Sequence, residues 1–122
     1  MIRIYRNNTL GSTKVGEYFN FGEIKCKCGN CNITLIDSEL LLLMDAFRRS
    51  WRLPVIPTSV YRCDAHNRSL ANSSDYSAHI TGQACDLPLP AIGSDEFIAL
   101  AESIFPFTYV GNGFVHCGLF NR

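Results

Sequence analysis

His79 and Asp86 stand seven residues apart in the stretch Ser77-Ala78-His79-Ile80-Thr81-Gly82-Gln83-Ala84-Cys85-Asp86, with a glycine between them. That spacing does not stack two side chains on one helix face, and Gly82 favours a turn. The stretch predicts a loop carrying His79 that feeds a strand carrying Asp86. His116 lies further on, in the apolar run Gly113-Phe114-Val115-His116-Cys117. Strand alternation puts Phe114, His116 and Gly118 on one face and Val115, Cys117 and Leu119 on the other. If the first face looks toward Asp86, two imidazoles and a carboxylate meet. Such a set commonly holds zinc with its fourth position open to water, and an open position goes with hydrolysis. Taken alone, a histidine in an apolar strand such as His116 is more often a hydrogen-bonded core residue, and spacing leaves both readings open.

Composition bounds the rest. A chain of 122 residues that is 47% hydrophobic fits one domain, residues 1–122, with a real core. The first 18 residues, polar with short apolar alternation at Ile2 and Ile4, read as an arm or an edge strand. Eleven basic and eleven acidic side chains give no excess for nucleic acid or an anionic membrane. The N-terminus lacks the apolar core of a secretory signal. The longest apolar run, Leu40 to Met44, falls far short of the ~18 residues of a membrane helix. The expectation is a soluble protein made in a cytoplasm, with no membrane insertion.

The clearest element is a helix after Asp37. Leu40, Leu43, Met44, Phe47 and Trp51 form one stripe that reads as core packing, and Pro54 lies just beyond. Val55 to Tyr61 and Gln83 to Leu89 read as strands, the first an edge or bulged one because of Pro57. Residues 64–75 read as a loop with one helical turn. Ser94 is the expected cap of a second helix with Phe97, Leu100, Ala101 and Ile104 inward and Pro106 beyond its end. Phe107 to Val110 and Phe114 to Phe120 flank Gly111-Asn112-Gly113, a bulged hairpin signal. The sum is α+β, two helices on a small, mainly antiparallel sheet.

Six cysteines require an account. Cys26, Cys28 and Cys31 cluster, while Cys63, Cys85 and Cys117 are dispersed. Cys26, Cys28 and Cys31 with Cys63 could bind a second, structural zinc. A disulfide from Cys63 and buried, inert thiols are the alternatives. Cys85 and Cys117 each neighbour a proposed ligand, so they are expected to point away from it into the core.

Ser77-x-His79-x-x-Gly82-x-Ala84-x-Asp86 resembles the zinc-binding signature of M15-type peptidases. These include D-Ala-D-Ala carboxypeptidases and phage endopeptidases that cut peptidoglycan. Phe114-Val115-His116 resembles their third-ligand strand. Thr58 to Asn67, with Tyr61-Arg62-Cys63 and His66-Asn67, is similar to a further segment. Phe21-x-x-x-x-Cys26-x-Cys28-Gly29 is similar to the N-terminal motif of the small members. Together these cover roughly residues 19 to 119, in the family's order. The hedgehog signalling domain is a non-catalytic relative.

The resemblance implies a hedgehog-like fold, zinc held by His79, Asp86 and His116, and hydrolysis of peptidoglycan stem peptides or cross-links. It implies a catalytic role for Arg62, steadying the substrate carbonyl or carboxylate. Ser77 is expected to bind substrate or orient the His79 loop, Tyr109 to stabilise an oxyanion, and His66 with Asn67 to fix that loop. The partner is a peptidoglycan peptide. The expected setting is a small phage-type or bacterial lysin-like protein, in the host cytoplasm before release or in the virion among particle proteins.

One departure matters. Relatives carry an acid three residues before or two residues after the third ligand, as general base. Here those positions are Gly113 and Gly118, and Phe105 to Arg122 contains no Asp or Glu. Asp64, Asp75 and Glu102 are weak substitutes. A catalytically weak or inactive zinc-bearing module is therefore the rival reading.

Overall fold

The computed structural model describes residues 1–70, 74 and 76–121. The N-terminal segment is an edge strand, β1 (Ile2–Arg6), paired antiparallel with β2 (Ile33–Asp37). Ile2 and Ile4 face solvent, and Tyr5 packs inward against Phe21. Short helix α1 (Phe21–Ile24) lies between the two strands in sequence, capped by Asn20 and Glu23 reciprocally bonding each other's backbone. Val15, Phe19, Phe21 and Ile24 are buried, so the segment before Cys26 is part of the core.

Helix α2 (Ser38–Trp51) begins where expected. The Asp37 carboxylate accepts from the Glu39 amide, and Arg48 and Arg49 sit in the last turn beside the negative helix end. Arg52 ends it in the left-handed region at φ 69°. Helix α3 (Asp64–Ser69) is the single turn expected after Cys63. Residues Ala78–Thr81 form a 3-10 turn leading to β3 (Ala84–Pro88). Helix α4 (Ser94–Ile104) precedes the hairpin β4 (Phe107–Val110) and β5 (Phe114–Gly118). The second sheet runs β3-β5-β4, antiparallel throughout.

The core lies between α2 and α4 and one face of this sheet. Leu40, Met44 and Phe47 of α2 and Phe97 and Ala101 of α4 join Cys85, Leu87, Val115 and Cys117 in one buried cluster. Phe97 is gripped edge-on by Phe47 and Trp51, with centroids 4.8 and 4.9 Å away. Cys85 and Cys117 point into this core, leaving the opposite sheet face to their neighbours.

Three expectations need correction. Residues 55–61 are not a strand. Only Ser59 bridges β3, because Pro57 lacks an amide to continue a ladder. Ser94 is not the cap of α4; Gly93 is, at φ 83°, with no side-chain cap bond. The expected single sheet is two. β2 carries a buried Thr34 and a buried Asp37 on an irregular burial pattern, so no alternation announced it. Among the described residues no helix is long and apolar enough to cross a membrane.

Candidate metal centre

His79, Asp86 and His116 converge, each offering one ligand atom within 4.8 Å of the others. The sheet register explains two of them. Asp86 of β3 is the cross-strand partner of His116 of β5, whose other neighbour is Tyr109 of β4. On its outer side Asp86 bonds Ser59 and Thr58, its amide donating to the Ser59 carbonyl at 2.8 Å and its carbonyl accepting from the Thr58 amide at 3.0 Å. One row across the sheet therefore reads Ser59, Asp86, His116, Tyr109. The Asp86 backbone bonds outward to Thr58 and Ser59, leaving Asp86 and His116 a non-hydrogen-bonded pair, the closer kind, with adjacent side chains.

His79 arrives from the 3-10 turn. The Ser77 hydroxyl caps that turn by accepting from the His79 amide at 3.2 Å. Gly82 closes it at φ 69°, where a Cβ would stand 2.2 Å from the Leu35 carbonyl oxygen. Only glycine can both adopt the left-handed backbone and lie so close to β2. The Asp37 amide donates to the Gly82 carbonyl at 2.9 Å, locking the turn to the first sheet.

The imidazole orientation follows from hydrogen bonding. His79 Nδ1 lies 2.7 Å from the Val60 carbonyl, which can only accept, so Nδ1 carries the proton. In the neutral ring Nε2 is then a bare lone pair, 3.2 Å from Asp86 Oδ1. His116 Nδ1 lies 3.0 Å from the same oxygen. A lone pair facing a carboxylate calls for a proton or a metal ion between them, and two imidazoles with a carboxylate are a donor set that fits a metal ion. His79 and His116 are almost wholly buried. Burial would raise the Asp86 carboxyl, but the bonds from His116 and His79 outweigh it and hold the group well below the usual carboxylate range.

Arg62 stands beside this set. Its amide donates to the His79 carbonyl at 3.1 Å and its Nη2 to the Ser77 hydroxyl at 3.3 Å. Its Nε is buried with no hydrogen-bond partner among the described residues. Burial pulls its pKa down, and the Asp86 charge opposes that. Tyr109 is half-exposed and stacks on His116, centroids 4.8 Å apart and planes 24° apart. Asn67 is buried and its Nδ2 donates to the Ser74 carbonyl at 2.7 Å, linking α3 to Ser74, whose carbonyl also accepts from the Ser77 amide. His66 lines a different cavity, beside Cys28, Cys31 and Cys63.

No carboxylate other than Asp86 joins the set among the described residues. Asp64 pairs with Arg68 one turn away on α3. Glu102 is exposed on α4, which covers the opposite sheet face. Asp75 lies outside the described residues. The Val60 carbonyl and the Leu35 contact of Gly82 escaped sequence reasoning, since backbone atoms leave no residue-type signal.

The remaining thiols fall into two places. Cys85 and Cys117 are core residues. Cys26, Cys28, Cys31 and Cys63 come together, all free, with their sulfurs within 4.8 Å of one another.

The fold thus brings two imidazoles and a carboxylate, two from the sheet and one from the 3-10 turn, into a set that could hold a metal ion. A family model described as Peptidase M15 matches residues 17–118, most of the chain, and the chain belongs to that family. No curated protein and no solved structure matches it.

Proposed function

We propose that the protein is a zinc-dependent peptidase acting on peptidoglycan stem peptides or their cross-links, as a D-Ala-D-Ala carboxypeptidase or an endopeptidase. One observation carries the reading: the donor atoms of His79, Asp86 and His116 meet within 4.8 Å in a chain of the peptidase M15 family. Zinc bound there would supply a Lewis acid for the scissile carbonyl and a water acidified toward a pKa of about 7.

The chain's own residues set the stage. The Val60 carbonyl keeps the His79 lone pair directed inward. Asp86 stays ionised through the whole neutral range. Arg62, a planar cation with an unused buried N–H, steadies the substrate's carbonyl oxygen or terminal carboxylate. Ser77 is occupied by the His79 amide and by Arg62, so it acts as a positioning residue. The half-exposed Tyr109 offers its hydroxyl to an oxyanion. In a lysin-like setting the wall peptide is the partner, and the protein reaches it from the host cytoplasm or as part of a virion.

The absence of any acid from Phe105 to Arg122 favours a second reading, a zinc-bearing binding module with little or no turnover. Loss of a general base typically lowers rate by about 10²–10⁴-fold. Zinc-loaded protein incubated with purified sacculi decides between them. Release of D-alanine or cross-link fragments, abolished by chelation, supports the peptidase. Zinc binding without cleavage over days supports the module.

A further inference from the structure

The four thiols of Cys26, Cys28, Cys31 and Cys63 have a geometry the proposed hydrolysis does not use. We propose that Cys26, Cys28, Cys31 and Cys63 hold a second, structural zinc ion in a closed tetrahedral site of four thiolates. Three come from the loop after α1, and the fourth is the N-cap of α3. All four sulfurs lie within 4.8 Å of one another, the spacing a tetrahedral thiolate site needs.

Each sulfur also accepts one N–H. The Cys63 amide donates to Cys26 Sγ at 3.4 Å, and the Asn30 amide to Cys28 Sγ at 3.3 Å. Asn7 Nδ2 donates to Cys31 Sγ at 3.2 Å, and the His66 amide to Cys63 Sγ at 3.4 Å. A neutral thiol is a weak acceptor, so four donors on four sulfurs suit charged thiolates. Such outer bonds are how proteins orient metal ligands. Gly29 stands at φ 76° with open space around it, so its role is to turn the chain between Cys28 and Cys31.

Charge agrees. Four thiolates around a divalent ion leave a net charge of −2. Lys27 lines the cavity that holds Cys28, Cys31 and Cys63, and Arg6 and Lys25 line the one beside Cys31. Neither lining contains an acid. Soft sulfur ligands exclude magnesium and calcium. A Cys28–Cys63 disulfide is the competing use of these atoms, now 3.7 Å apart, but it would leave the other two sulfurs and their donors unexplained. The ion would tie the Cys26–Cys31 loop to the segment that delivers Arg62 to His79. Four thiol protons leave as it enters.

Metal analysis of the full chain purified under reducing conditions with zinc tests this. Two zinc ions per chain are expected, falling to one in His116→Ala and to one in Cys28→Ser/Cys31→Ser. Should the cysteine variant fail to fold, cobalt-substituted His116→Ala decides. Sulfur-to-cobalt charge-transfer absorption supports the site, and its absence overturns it. Four thiols that react freely in zinc-loaded protein, or a mass lighter by two hydrogens, overturn it as well. A ferric-thiolate colour overturns zinc as the metal. None of these readouts depends on peptide cleavage, so an inactive protein leaves the inference standing.

Discussion

His79, Asp86 and His116 hang from a hydrogen-bonded sheet and a capped turn. Cys26, Cys28, Cys31 and Cys63 sit on a loop and at a helix cap. In the first cluster the ligand positions are dictated by backbone register, since Asp86 and His116 are cross-strand partners. In the second they are dictated by N–H bonds to each sulfur. The first offers three donors beside an arginine with an unused N–H and a half-exposed tyrosine. The second offers four and leaves none of its sulfurs without an N–H donor. Three donors with an open fourth position suit turnover, and four donors suit a closed structural site.

The largest expected effect breaks one cluster and spares the other. His116→Ala should reduce hydrolysis of sacculi to the chelated background while the cysteine-bound ion stays. Loss of both ions together would show that the clusters are not separate, which metal analysis of the variant checks. Next in size, Arg62→Ala should lower kcat by about 10²–10³-fold, the usual cost of one oxyanion donor. Arg62→Lys should recover little, because an ammonium cannot reproduce the fork. Steady-state kinetics on a stem peptide measures both.

Gly82→Ala should cost at least about 2 kcal/mol, from left-handed backbone and from collision with the Leu35 carbonyl. Denaturant unfolding reads it, and zinc affinity at the His79 cluster should fall while the cysteine cluster is unchanged. Asp37→Ala is the smallest, about 1 kcal/mol for a lost helix cap. Burial raises the Asp37 carboxyl, but bonds from Gln83, the Glu39 amide and the N-terminus together lower it. Its contribution is therefore complete above the unfolded value of about 3.9 and is lost as pH falls through the lower folded value. The difference between wild type and variant should vanish in acid below that window.

Much of this was legible in residue types. Proline and glycine marked the hairpin, Asp37 marked the start of α2, and alternation put His116 opposite Val115 and Cys117. The signature from Ser77 to Asp86 carried its own turn in Gly82. What stayed hidden was set by contacts distant in sequence. β2 has buried polar residues satisfied by Asn7 and by the N-terminus, so its pattern shows no period. Residues 55–61 look β-branched and apolar, yet they touch β3 through one bridge only. The meeting of Cys63 with the Cys26–Cys31 loop depends on Tyr61 donating to the Ile24 carbonyl, a contact no local spacing announces.

The most direct test of the central claim is anomalous diffraction at the zinc edge from crystals of zinc-loaded protein. The account predicts a peak about 2.0–2.2 Å from His79 Nε2, an Asp86 oxygen and His116 Nδ1. Crystals grown in excess zinc with no peak among those three side chains would contradict it.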